Sequence, residues 1–207
     1  LNILDWRCRK YEQHESEGTS MTYKAQIAII GGREIDSVSQ TFVENISKML
    51  VEEGFRIVTG GLGALPSAAH RGAKSASNST ESDTIAILPG FDPRPALDHA
   101  DIIIPTGLDA IRNAIVANSD AVIAIGGGAG TLSEIAYAWQ FKRPIIATSV
   151  EGWSSKIAGQ VVDNRTRIDD PNIDDIVFSC NSVEEIRSKL VEVLPKFTKR
   201  HRGIPES

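Results

Sequence analysis

Cysteine is nearly absent from this 207-residue chain, and the two present, Cys8 and Cys180, lie far apart. That scarcity excludes a disulfide framework and a cysteine-built zinc motif, and it suits a reducing cytoplasm. Histidine numbers only four, and His70 and His99 have no ligand-like spacing with cysteine or carboxylate, so no metal site is expected. Asp92, Asp98 and Asp101 read as turn and loop residues, and no Ser-His-Asp or Cys-His constellation can be placed. No apolar run reaches the length of a membrane span. Nor is there a basic excess: 22 Lys and Arg stand against 27 Asp and Glu, a net charge of −5. That balance argues against nucleic acid and anionic membranes as partners.

What remains is 41% hydrophobic, enough for one buried core and too short for two full-sized domains. Residues 1–23 lack the apolar core of a signal peptide and show no clear periodicity, so they read as a flexible leader, with Met21 a candidate start. Residues 24–195 form the expected domain. Residues 196–207, with Lys196, Lys199, Arg200, His201 and Arg202, read as a solvated basic tail.

Within the domain, short apolar strands alternate with helical patterns. Strands are expected at residues 25–30, 56–59, 84–88, 101–104, 121–125, 144–148 and 176–179. Helices are expected at about 37–53 with Gly54 as a cap, 66–76, 108–117, from the glycine loop to Phe141, and at 183–194. Pro66 suits a first helical turn, and Ser182 with Glu185 has capping-box spacing. This alternation predicts a single-domain, Rossmann-like α/β fold: a doubly wound parallel sheet of about seven strands, covered by helices on both faces. Ligands of such sheets bind beyond the carboxyl ends of the strands, where the strand order reverses.

Three strands end in glycine clusters: Gly31-Gly32, Gly60-Gly61-Leu62-Gly63 and Gly126-Gly127-Gly128-Ala129-Gly130. Glycine lets the backbone approach a ligand closely, and a helix that starts there presents bare amides at its positive end. The loop therefore suits a phosphate. Its spacing is neither GxGxxG nor GxxxxGK[ST], since no lysine follows Gly130, which disfavours dinucleotide dehydrogenases and P-loop hydrolases. Thr131 and Glu134 admit two readings. They form a capping box, or the hydroxyl meets a phosphate while the carboxylate binds sugar hydroxyls or steadies a breaking glycosidic bond. Arg112 either pairs with phosphate or carboxylate or makes a surface ion pair with Asp109 or Asp120. Arg33 is a further candidate beside Gly32. Trp139 fits a buried helix face, and Trp153 either covers a pocket or plugs the core.

Residues 106–147, TGLDAIRNAIVANSDAVIAIGGGAGTLSEIAYAWQFKRPIIA, resemble the LOG-like (SLOG) Rossmann superfamily, often mislabelled as lysine decarboxylases. The resemblance spans roughly residues 24–194 and is nearest the branch of molybdenum-cofactor carriers and uncharacterised nucleotide-binding proteins. It implies Arg112 and Glu134 as the catalytic pair of a nucleoside 5′-monophosphate phosphoribohydrolase, if the protein is an enzyme. It implies a phosphate on Gly127, Gly128, Gly130 and Thr131; the residues themselves add Gly31, Gly32, Arg33, Gly60, Gly61 and Ala129 as candidates around the same crevice. Gly126 in place of the enzymes' proline, Asn113 in place of their lysine, and Ala129 in place of an aromatic match the carrier branch better. A small-molecule ligand, either a nucleotide or molybdenum cofactor, and a homodimer are what the resemblance implies. Lysine decarboxylation is not expected, since no pyridoxal-anchoring lysine is recognisable.

Overall fold

The computed structural model describes residues 23–168 and 170–197. The expected leader, Tyr23 excepted, and the expected tail beyond Phe197 lie outside the described residues. Seven strands form one parallel sheet: β1 (Gln26–Gly31), β2 (Arg56–Thr59), β3 (Thr84–Leu88), β4 (Ile102–Pro105), β5 (Ala121–Ile125), β6 (Ile145–Ala147) and β7 (Phe178–Ser179). Their order is β4-β3-β2-β1-β5-β6-β7. The helices are α1 (Ser37–Glu52), α2 (Ala64–Lys74), α3 (Asn113–Ala117), α4 (Ala129–Gln140), α5 (Trp153–Ile157) and α6 (Val183–Val193).

The doubly wound arrangement is written into the central strands. Ile27 and Ile29 of β1, with Ala121, Ile123 and Ile125 of β5, pack into one core with α1, α2 and α6. The alternate residues Ala28, Ile30, Val122 and Ala124 join Val116, Ala138 and Trp139 on the opposite face. Side chains of a strand alternate between faces, so a strand buried on both sides must be apolar throughout. All five residues of β5 are buried, as its unbroken apolar run requires. No described helix is long and apolar enough to cross a membrane.

Local signals set several boundaries. Asp36 caps α1 by accepting from the Ser39 amide, and Gly54 follows its last turn with φ 76°. Ser182 caps α6 by accepting from the Glu185 amide, but the Glu185 carboxylate reaches back to the amide of Asn181 rather than that of Ser182. Helix α2 starts two residues before Pro66, whose missing N–H still falls in the turn where amides lack partners. The helix expected from residue 108 is instead a tight turn over Asp109–Arg112, with Asp109 at φ 48°, running into a short α3. Helix α5 was not anticipated. After α6, Lys196 pairs with Asp170 and Phe197 is buried against Phe178.

Candidate functional site

Strand order reverses between β1 and β5, which pair from Ile27↔Ala121 to Gly31↔Ile125. From β1 the chain crosses toward β2, and from β5 it crosses the other way toward β6. The two exit loops diverge and a crevice opens between them. A cleft of about 370 Å³ lies there, lined by Gly31, Gly32, Arg33, Gly60, Arg112, Asn113, Gly128, Gly130, Thr131 and Glu134, among others.

The Gly126–Gly128 turn has a distinct use for each residue. The start of α5 docks beneath it: the Trp153 amide donates to the Gly127 carbonyl, the Ser154 amide to the Gly126 carbonyl, and the Ser154 hydroxyl accepts from the Gly126 amide. This ties down the turn's inner groups. Gly127 sits at φ 88°, and the space a side chain would occupy is filled by the Thr131 hydroxyl. A Cβ on Gly128, by contrast, would meet nothing within 4 Å. Gly128 is the N-cap of α4 and contributes no side-chain cap. The Thr131–Glu134 capping box therefore does not form. The first amides of α4 point outward without intrahelical partners, which is the geometry that draws anions. Thr131 lines the cleft at 2% exposure, and its hydroxyl has no hydrogen-bond partner among the described residues.

Arg112 is not a surface ion-pair partner of Asp109 or Asp120. Its Nη1 donates to Oε1 of Glu134 at 3.2 Å, and both side chains are largely buried. Gly60 makes this possible, since a Cβ there would lie 2.6 Å from the guanidinium nitrogens. Burial pushes the Glu134 carboxyl up to about 7 against the pull of Arg112. Burial lowers the Arg112 guanidinium, Glu134 opposes that shift, and nearby Arg33 adds to it. Arg112 Nε is buried without a partner. By count, Arg33 and Arg112 balance Asp109 and Glu134 around the cleft. A carboxyl that titrates near neutrality, together with the α4 amides, tips that balance toward anions.

Behind Gly60, Thr59 Oγ1 accepts from the Gly61 amide and meets His70 Nε2 at 3.1 Å. His70 Nδ1 meets His99 Nδ1 at 2.8 Å, and His99 Nε2 meets the Pro95 carbonyl. One hydrogen per ring satisfies every link if Thr59 donates to His70, His70 to His99 and His99 to Pro95. Burial holds His70 down at about 3, with His99 and Lys74 adding to the shift. A histidine with a folded value below its unfolded 6.5 gives full stability above pH 6.5 and loses it as pH falls toward 3. Lowering the pH to about 5 should therefore cost the fold about 2 kcal/mol through this group. Urea unfolding at both pH values, on the parent and on His70→Gln, isolates the term: the variant should lose that much less.

The cleft gathers Gly31, Gly32, Arg33, Gly60, Arg112, Gly128, Gly130, Thr131 and Glu134. Gly61, Gly127 and Ala129 are not among its lining: Gly61 faces Leu88, Gly127 lies under Thr131, and Ala129 is exposed. Leu62, Leu65, Pro66, Pro89, Asp109 and Ala110, which also line it, were not foreseen. The carboxyl-end position of the loops after β2, β3 and β4 was the available signal. Trp139 is buried as expected, and its Nε1 donates to Asp163 at 2.7 Å.

The protein is thus a Rossmann-like α/β chain with a glycine-lined cleft at its topological switch point. The chain belongs to the SLOG cluster4 family, which matches residues 24–184. It is similar to an uncharacterised protein of Archaeoglobus fulgidus, 39% identical over 114 residues, covering 55% of this chain and 72% of that one. Among solved structures it is similar to the molybdenum cofactor binding protein of Rippkaea orientalis at 29% identity, TM-score 0.67, over 84% of this chain and 99% of that one. The molybdenum cofactor carrier protein of Chlamydomonas reinhardtii is similar at 26% identity, TM-score 0.65, over 84% of this chain and 100% of that one.

Proposed function

We propose that this protein binds a phosphate-bearing, nucleotide-like small molecule in the cleft, as a carrier or a sensor. The phosphate rests on the amides of residues 128–131 and the Thr131 hydroxyl, with Gly31, Gly32 and Gly60 keeping the floor open and Arg33 and Arg112 supplying charge. One observation carries this reading: the Thr131 hydroxyl, unpartnered among the described residues, lines the cleft beside an uncapped helix N-terminus with open space at Gly128. The similar proteins named for molybdenum cofactor support that phosphate-bearing pterin as one ligand. Calorimetric titration with AMP, cyclic and dinucleotides, and molybdenum cofactor should give saturable binding of at least one. Failure of all of them overturns the reading.

The Arg112–Glu134 pair favours a second reading, phosphoribohydrolysis of a nucleoside monophosphate. A carboxyl titrating near 7 in a buried site is suited to steadying oxocarbenium charge and positioning water. Release of free base from AMP, lost in Glu134→Gln, is the expected result for an enzyme. Binding without base release leaves the carrier. In either case ionised Glu134 pairs Arg112 and repels phosphate. AMP binding should therefore weaken several-fold in the parent relative to Glu134→Gln between about pH 6 and pH 8, read by calorimetry.

Leu108, Ile111 and Ile115 are exposed at helical spacing beside the cleft. That stripe supports a homodimer covering it, and light scattering should give twice the chain mass. The paucity of cysteine supports a cytoplasmic setting.

A further inference from the structure

Asn113 is the first residue of α3, 8% exposed, and lines the cleft next to the α4 N-terminus. A Cβ on Gly130 would lie 4.0 Å from its Nδ2. Its amide could in principle face either way, because oxygen and nitrogen have the same shape. The neighbouring hydrogen bonds decide. The Ser133 hydroxyl donates its one hydrogen to the Gly130 carbonyl, at 2.7 Å. Toward Asn113, at 2.8 Å, it can then only accept. Nδ2 must therefore face Ser133, which leaves the carbonyl Oδ1 without a partner among the described residues, on a side chain that lines the cleft.

An acceptor next to a phosphate subsite repels a second phosphate and welcomes a donor. We infer that Asn113, oriented by Ser133, selects ligands carrying a hydroxyl close to their phosphate, the chemistry of a sugar phosphate ester rather than of a polyphosphate. Asn113 is the specificity-determining residue here, and Ser133 is its positioning residue. This inference rests on the proposed phosphate site in the cleft.

The test compares AMP with 2′,3′-dideoxy-AMP, which keeps the phosphate and base and loses both sugar hydroxyls. The parent should bind AMP about tenfold more tightly, as expected when an acceptor loses its donor. Ser133→Ala frees the amide to turn Nδ2 inward, and the ratio should collapse toward unity while the melting temperature and the affinity for inorganic phosphate hold. Ser133→Thr restores the hydroxyl and should restore the ratio, a rescue that loss of packing would not produce. A parent ratio near unity, or one unchanged in Ser133→Ala, overturns the inference. Phosphate binding that is present and lost in Gly128→Asp keeps the site reading alive under either of those results. Absence of both phosphate and AMP binding in the parent removes the site and the inference together.

Discussion

Gly128→Asp should fold like the parent and lose at least about 100-fold in affinity for a phosphate-bearing ligand, because a fixed carboxylate then occupies the positive end of α4. Folding is spared for two reasons. Gly128 has a negative φ, −109°, outside the left-handed region that favours glycine, and a Cβ there meets no atom within 4 Å. An aspartate at an N-cap also satisfies a helix amide of its own, so the variant is expected to melt at or slightly above the parent. That local bond is what defeats binding: the aspartate takes the amide that the ligand would use and adds a charge of the wrong sign. Gly128→Ala separates the two effects. Its methyl enters open space, so binding should fall only a few-fold. Calorimetry with phosphate and AMP on all three proteins reads the result. Gly128→Asp binding as tightly as the parent would sink the proposed site.

The first five strands could be read in the sequence because each is a short, largely apolar run closed by glycine or proline. In a sheet covered on both faces, every residue of a central strand must be apolar. The glycine loop was legible for a related reason: a strand ending in several glycines before a helix leaves few other backbone paths. Arg112 and Glu134, 22 positions apart, were visible as candidates and, by resemblance, as a catalytic pair, yet the ion pair between them was not. Nothing local says that Gly60 leaves a hollow into which the guanidinium swings to reach α4. The same gap explains why the sequence left the capping box open. Thr-x-x-Glu looks identical whether Thr131 caps the helix or sits inside its first turn, and only the φ of the preceding glycines distinguishes them. Helix α5 was missed because its five residues carry too little periodicity to register, although it is the piece that fixes the glycine turn from below.

Arg167 is the residue that sequence patterning hid most completely, and its removal should be the most damaging single change to stability. It is fully buried in a stretch without helix or strand. Its Nε donates to Asp175 at 2.8 Å, Nη1 to the Arg143 carbonyl at 2.8 Å and Nη2 to the Ile176 carbonyl at 2.9 Å. The guanidinium also stacks 3.5 Å from the centre of the Trp139 ring, joining α4 to the segment that leads into β7. Burial pulls its value down to about 10, with Asp175 opposing the shift, so it stays charged at neutral pH. Arg167→Ala would strand the buried Arg143 carbonyl, take a donor from the half-buried Ile176 carbonyl and the counter-charge from Asp175, and open a hollow against Trp139. The expected loss is about 4 kcal/mol, the usual size for breaking one side of a buried pair. For a chain of this length that corresponds to roughly 10 °C in melting temperature, measured by calorimetry or circular dichroism. Arg167→Lys keeps the charge but not the planar fork or the stacking, so it should recover less than half of that loss. The site lies at the N-terminal end of α4 and Trp139 near its C-terminal end, so at a temperature where both proteins are folded the Arg167→Lys variant should bind phosphate like the parent. A melting temperature unchanged in Arg167→Ala would mean that this segment does not hold α4 and β7 together.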